Sequence, residues 1–339
     1  VISVYDLDGL ETFCRRSGVQ DQDRKKFRTS FFKKALPLDE CLNRIPASAR
    51  ALFAEQVRFH SLTLAERHDS TLDGATKLIF RTEDGHRLET VILRITSGRT
   101  SLCISSQVGC AAGCAFCATG KMGLMRNLRA EEMLDQVLLA MRLLRGEGRT
   151  LRNVVMMGMG EPLHNEKAVY QTLEVLRDPR ACYLSERHLL VSTVGMAAAM
   201  LRFVERFPNI RLALSLHSAR QEVRRLLMPA GKSQSLDKLR AILPEVARHG
   251  NFMVEVLLLK GLNDGPEDLA ALVEVLQGLP IHINLIQFNA HPGADYEPVT
   301  AAVRDAFAVA LRKAGFKVTL RYSLGADIAA ACGQLAGRD

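Results

Sequence analysis

The chain has 339 residues, 47% of them hydrophobic, and a formal net charge of +8. That length allows one large domain plus a small one with a substantial core, and no apolar run is long enough for a membrane-spanning helix. The positive balance favours a polyanionic partner, although an ordinary basic enzyme also carries such a charge. The eight cysteines lack the spacing of a secreted disulfide framework and no signal-peptide pattern opens the chain, so a reducing cytoplasm is the expected setting.

Taken in chain order, residues 23–37 (DRKKFRTSFFKKALP) read as a basic amphipathic helix closed by Pro37, and residues 48–57 as a second helix. Residues 77–93 alternate apolar and polar around an Asp-Gly turn, the pattern of a hairpin. These elements predict a small α+β accessory domain over residues 1–95, with the junction in TSGRTS (96–101). SLCISSQ (101–107) is expected to be the first strand of the second domain, residues 96–339. From there short apolar runs follow at 153–159, 188–193, 211–216, 252–259, 282–288 and 317–323. They are β-branched, bounded by Gly, Pro or charge, and separated by helical stretches such as 131–145, 267–277 and 301–315. Strand, helix and strand repeated in this way specify a parallel sheet with helical crossovers. Six or seven units are too few for a closed eight-fold barrel, so the fold class is α/β, a partial (βα)6-type barrel.

The stretch GCAAGCAFCATG (109–120) places Cys110, Cys114 and Cys117 on the loop after that first strand. Three thiolates converging there suggest a metal, but a closed zinc site takes four ligands and is commonly built from two spaced pairs. No second pair follows. An iron–sulfur cluster accepts three thiolates and leaves one iron open, and that iron can bind the amino and carboxylate groups of a small chelate. Both readings stand on the residues alone. Gly160 and Glu161 of MGMGEP (157–162) end the next strand, one allowing close backbone approach and the other able to accept from an ammonium group. Ser192, Ser215, Leu216 and His217 fall at the carboxyl ends of the following strands, the rim where ligands of such sheets gather. Cys14, Cys41 and Cys182 read as inert apolar residues, and on residue chemistry alone Cys332 reads as a buried helix thiol.

The cysteine spacing, with Phe116 before the last cysteine, resembles the radical S-adenosylmethionine (SAM) superfamily. SLCISSQVGC (101–110), CATGKMGLMRNL (117–128), MGMGEPL (157–163), LSLHS (214–218), NLIQFN (284–289) and DIAAACGQLAG (327–337) occur in order. Together they resemble the RlmN/Cfr family of radical-SAM RNA adenine methyltransferases. The resemblance implies a [4Fe-4S] cluster on Cys110, Cys114 and Cys117, and SAM held by Gly160, Glu161, Ser192, Ser215, Leu216, His217 and Asn289. It also implies that two SAM molecules are used per turnover: Cys332 takes a methyl group from the first, and the second supplies a radical that activates it. Cys103 then releases the product by forming a disulfide with Cys332, and Glu89 acts as base for the adenine proton. The implied substrate is carbon 2 of an adenosine in 23S rRNA and, in some members, in tRNA. An electron donor such as flavodoxin is implied, and a monomer is expected.

Val108 and Pro162 resemble the carbon-2 branch, since the carbon-8 (Cfr) branch has Cys and Ala at these places. Residues 287–291 (Gln-Phe-Asn-Ala-His) depart from the usual Pro-Trp-Asn-Pro pattern while keeping Asn289. Arg24, Lys25, Lys26, Arg28, Lys33 and Lys34, with Lys121 and Arg126 beyond the cluster loop, are candidate RNA contacts. Carbon-8 methylation, and a zinc-stabilised RNA-binding protein without catalysis, are the competing functions.

Overall fold

The computed structural model describes residues 1–229 and 234–337. The amino-terminal part carries β1 (Ile2–Ser3), α1 (Leu7–Arg16), α2 (Asp21–Arg28), α3 (Leu38–Leu42), α4 (Ala47–Gln56) and β2 (Val57–Arg58), and β1 and β2 pair with each other. The basic helix expected over 23–37 ends early, because Arg28 leads into a wider π-helical turn at Thr29–Lys33 that buries Phe31 and Phe32. These rings, with Phe13, Phe27, Phe53 and Phe59, make an aromatic core in which neighbouring centroids lie 5.0–6.3 Å apart.

A hairpin follows. β3 (Leu62–Asp69), β4 (Ala75–Thr82) and β5 (Arg87–Arg94) are antiparallel, and β4 and β5 turn at the predicted Asp-Gly. β5 then pairs with β6 (Thr100–Cys103), with Arg94 opposite Thr100. One sheet therefore runs straight through the junction expected near residue 95. The helical module is tied on through α6 (Ala130–Gly146). Its fully buried Asp135 accepts from the amides of Ser61 and Leu62 and from the Tyr5 hydroxyl.

The chain leaves β6 at Cys103, earlier than expected. β7 (Gln107–Gly109) is separate and pairs with β8 (Leu124–Asn127) across the cysteine loop, which includes the short α5 (Ala118–Lys121). The break comes at Ser105, whose hydroxyl donates to the Glu89 carbonyl and accepts from the Met159 amide. The parallel strands are β6, β9 (Asn153–Met156), β10 (Leu189–Thr193), β11 (Arg211–Ser215), β12 (Phe252–Leu258), β13 (His282–Gln287) and β14 (Lys317–Arg321). Helices α6, α7 (Glu166–Arg177), α8 (Ala197–Arg206), α9 (Gln221–Leu227) with α10 (Leu236–Ala247), α11 (Pro266–Leu276) and α12 (Ala301–Lys313) make the six crossovers. This is the partial (βα)6 barrel. β6 and β14 do not pair with each other, so the barrel stays open on one side. Residues 325–337 lie along that opening. The Gly325 amide donates to Asp73, Lys77 Nζ to the Ala329 carbonyl, and the Gly337 amide to Glu89.

Candidate active site

The carboxyl ends of the parallel strands surround a cavity of about 650 Å³. Cys110, Cys114 and Cys117 line it together with Gly160, Glu161, Ser192, Ser215, His217, Cys103 and Cys332. The cysteine loop is fixed by the β7–β8 pair. At Gly109, φ is +77° and a Cβ would stand 1.9 Å from the Gly123 carbonyl oxygen, so only glycine closes this turn. At Gly160, φ is +104° and a Cβ would meet Gln107 at 2.6 Å. That close approach lets Gln107 Oε1 accept from the Glu161 amide at 2.8 Å.

Glu161 is buried, and its two carboxylate oxygens accept from the amides of Leu163 (3.0 Å) and Val194 (2.8 Å). Burial pushes it up to about 7 despite those bonds, so a cationic ligand is what its charged form lacks. Ser192 Oγ and Ser215 Oγ lie 3.3 Å apart on neighbouring strands. His217 sits in the left-handed region (φ +58°), its ring edge-on to Phe116 with centroids 4.8 Å apart, and its Nδ1 accepts from the Leu257 amide at 3.1 Å.

Burial, assisted by Arg224, drives His217 down to about 3, so the folded protein holds it neutral. The unfolded chain protonates this ring near 6.5, and the folded chain does not until far lower. Stability therefore falls as pH drops below 6.5, by about 2 kcal/mol between pH 7 and 5. His217→Asn tolerates the left-handed backbone and keeps an acceptor. In urea titrations at the two pH values it is expected to lose about 2 kcal/mol less than the wild type, whereas equal losses would show that His217 is not held neutral.

Cys103 and Cys332 share the middle of the cavity with Arg321. Cys332 is exposed to the cavity and sits outside any helix, which corrects the reading of a buried helix thiol. Desolvation raises Cys332 to about 11 and, joined by the charge of Cys332, raises Cys103 to about 12, while the Arg321 guanidinium draws both down. Arg321 Nη1 is held 3.0 Å from Glu255 Oε1 and 3.1 Å from Met157 Sδ. All eight cysteines are free, so no disulfide joins Cys103 to Cys332 in this structure. Cys14, Cys41 and Cys182 are buried, as expected of apolar residues.

Three predicted residues fall beside the cavity instead of lining it. Leu216 is fully buried behind the rim and contributes its backbone. Asn289 is turned toward the carboxyl-terminal segment, with Nδ2 donating to the Cys332 carbonyl (3.1 Å) and to Ser323 Oγ (2.9 Å). Glu89 is roofed by Gly337, whose amide donates to Oε1 at 3.2 Å. Its Oε2 is buried without a hydrogen-bond partner among the described residues, and desolvation raises its pKa. Three residues that sequence reasoning passed over organise the rim: Gln107, Asn263 and Arg224. Asn263 Nδ2 donates to the carbonyls of His217 (2.7 Å) and Leu257 (2.6 Å). Arg224, with no exposed surface, donates to the carbonyls of Val194, Ser215 and Leu216. Two adjacent arginines in QEVRRLL, flanked by apolar Val223 and Leu227, are the only hint that one of them turns inward.

The Radical SAM superfamily profile matches residues 104–273. Protein named "Probable RNA methyltransferase RB6963" from Rhodopirellula baltica is 46% identical, over 98% of this chain and 87% of its own. The dual-specificity RNA methyltransferase RlmN of Pelobacter propionicus is 41% identical, over 98% and 94%. The crystal structure of a radical SAM methyltransferase from Sphaerobacter thermophilus superposes with a TM-score of 0.93 at 35% identity, covering all of both chains. The chain belongs to the RlmN family of radical-SAM RNA methyltransferases. It is accordingly a SAM-dependent enzyme acting on RNA, and radical-SAM membership implies a [4Fe-4S] cluster and SAM.

The cavity suits those groups. Cys110, Cys114 and Cys117 line one wall of it, and a cluster accepts three thiolates on separate irons. Desolvation raises Cys110 to about 12 and lifts Cys114 well above the usual thiol range, aided by the neighbouring thiols. Two such sulfurs ionise together only against a strong positive charge. No helix among the described residues is long and apolar enough to cross a membrane. Five of the predicted RNA-contacting cations of this RlmN-family chain are paired within it. Arg24 and Arg28 pair with Glu11, Lys25 with Asp21, Lys26 with Asp23, and Arg126 with Asp84 and Glu132. Lys121 donates to the Gly293 carbonyl, and Lys33 sits over the Tyr183 ring.

Proposed function

We propose that the enzyme methylates carbon 2 of an adenosine in 23S rRNA, and of an adenosine in tRNA, through a methyl group carried on Cys332. The observation that carries this reading is the pair Cys103 and Cys332 in the same cavity as the cysteine trio, with Arg321 between Glu255 and the two thiols. In this reading Cys110, Cys114 and Cys117 hold the cluster. Glu161 takes the amino group of SAM beside Gly160, and Ser192, Ser215, Leu216, His217 and Asn289 complete or support that pocket. When bound, the cluster and SAM supply a carbon-centred radical. The protein's own work is to present both sulfurs to the base within one cavity. The Cys332 thiolate, whose charge Arg321 stabilises, accepts a methyl group from a first SAM as the donor's sulfur leaves as a neutral thioether; a second SAM, bound at the cluster, would supply the radical.

After the methylene carbon has joined the base, Glu89 takes the proton from the adenine carbon, which its partly unpaired carboxylate and raised pKa suit. The Cys103 thiolate then attacks Cys332 Sγ. The unpaired electron left by radical addition passes to a one-electron carrier of the flavodoxin class; the S–S bond forms as the S–C bond breaks, and the electron pair passes to the departing carbon, which takes up a proton to become the methyl group. A dithiol reductant reopens the pair. The residues of the carbon-2 branch, Val108 and Pro162, favour carbon 2 over carbon 8. The relatives named dual-specificity RNA methyltransferases support two RNA substrates. Residues 1–95 serve as the RNA-contacting part, and the protein works as a cytoplasmic monomer with a flavodoxin-class electron donor.

The test is methylation of protein-free 23S rRNA and of tRNA by anaerobically reconstituted protein, with the product nucleosides identified by mass spectrometry. 2-Methyladenosine from both RNAs is expected. 8-Methyladenosine would overturn the carbon assignment, and a colourless, zinc-loaded protein yielding neither mark would overturn the reading as a whole.

A further inference from the structure

The cavity has two ends of different chemistry. The cysteine trio, Glu161 and His217 line one. The other reaches the surface between the end of β14 and the β5–β6 turn, where Leu93, Ile95, Arg99, Tyr322 and Leu324 line it. The strand register connects the two. Leu93 stands opposite Ser101 and Val91 opposite Cys103, so the wall runs from Ile95 at the surface to the level of Cys103. Those four residues of strand make a depth of about 13 Å. A base read at the surface would not reach that far, and an extruded nucleotide would.

The mouth is built for such a ligand. Tyr322 is 61% exposed; the Arg304 guanidinium, paired with Asp305 at 2.8 Å, lies over one face of its ring, 5.2 Å from the centroid, and steadies it. Arg99 is exposed, its side chain donates to Ser97 Oγ alone (3.2 Å) and has no ion-pair partner among the described residues, unlike the paired cations of α2. Ile95 is 36% exposed beside it. The carboxylates of the lining, Glu161 and Glu255, belong to deeper parts of the cavity, and Glu255 is paired with Arg321. An exposed aromatic face with the unpaired guanidinium of Arg99 at the same mouth suits a base with its phosphate. SAM, with a cationic sulfonium and amino group, is suited instead to the Glu161 end.

We infer that this lateral mouth receives the RNA: a base stacks on the open face of Tyr322, Arg99 meets an adjoining phosphate, and the target nucleotide passes between β14 and the β5–β6 turn toward Cys332. The inference rests on the reading of RNA as substrate and adds the route and the residues that form it. The probe is a short single-stranded RNA with one 2-aminopurine in place of adenine, titrated into the full chain. The wild type is expected to bind it and quench its fluorescence. Tyr322→Ala should bind about tenfold more weakly with the quenching relieved, and Tyr322→Phe should retain both. Arg99→Ala should weaken binding and lower the salt slope by about one. A Tyr322→Ala protein with an unchanged melting curve that binds and quenches like the wild type would overturn the inference. Should that variant melt early, an unaltered salt slope in Arg99→Ala would do so. Failure of the methylation reading shows separately, as absence of methylated nucleoside from the wild type.

Discussion

Cys332→Ala is expected to abolish RNA methylation while cleavage of SAM to 5′-deoxyadenosine persists. The separation follows from where the side chain sits. Cys332 faces the cavity, and its segment is held by backbone groups: the Cys332 carbonyl accepts from Asn289, the Gly333 carbonyl accepts from the Ala118 amide, and the Leu335 carbonyl accepts from the Thr119 hydroxyl. Removing one sulfur leaves these bonds and the cysteine trio in place, so cluster binding and SAM binding survive. The methyl acceptor alone is lost, and the serine variant is expected to behave alike because a hydroxyl ionises too weakly to replace a thiolate. Cys103→Ala has a different expected phenotype. The carrier is still loaded and joined to the base, but the sulfur that would attack Cys332 is gone, so a covalent protein–RNA species accumulates and resists denaturation on a gel. Nucleoside mass spectrometry, deoxyadenosine quantitation and that gel check the pair of variants. Methylation by Cys332→Ala at the wild-type rate would remove the carrier role.

The contrast between the two thiols shows what the residues alone disclose. The parallel strands were legible because β9 to β13 are buried among helices and spell continuous apolar runs. β3 was not, since six of its eight residues are exposed and its text, LTLAERHD, reads as polar loop. The cysteine trio was legible because its three ligands are close in the chain. Cys332 was not legible from its neighbours, which are small and apolar. What keeps it out of a helix is tertiary: Gly325, Gly333 and Gly337 all take positive φ, and the segment is strung between β4, the cysteine loop and Asn289. Gln107, Asn263 and Arg224 escaped for a related reason. Each serves backbone carbonyls or amides distant in sequence, and such partners leave no residue pattern. Leu216 and Asn289 were placed by motif on the SAM pocket, whereas their observed contacts support its wall.

Arg224→Met is expected to cost more stability than any exposed substitution in the barrel. The guanidinium has no exposed surface and no carboxylate partner among the described residues. Its charge is met by carbonyl dipoles: Nη2 donates to Val194 at 2.6 Å, and Nη1 to Leu216 at 2.8 Å and Ser215 at 3.3 Å. Desolvation lowers it only to about 10, so it remains a cation at neutral pH. It thereby ties the end of β10 to the end of β11, the two strands that deliver Ser192, Ser215 and His217. Methionine fills much of the volume but takes the Arg224 donors from the Val194 and Ser215 carbonyls, at about 1 kcal/mol or more for each, and leaves Leu216 only the Ser218 amide. The expected loss is about 3–5 kcal/mol, a fall in melting temperature on the order of 10 °C in a chain of this size. Lysine retains the charge but lacks the planar fork that reaches both strand ends, so Arg224→Lys should recover only part of the loss. SAM affinity measured well below the melting temperature should weaken in the same order, because the two serines and His217 are placed by the carbonyls that Arg224 holds. A methionine variant that melts with the wild type would mean that water or backbone rearrangement satisfies those carbonyls, and that the rim does not depend on this side chain.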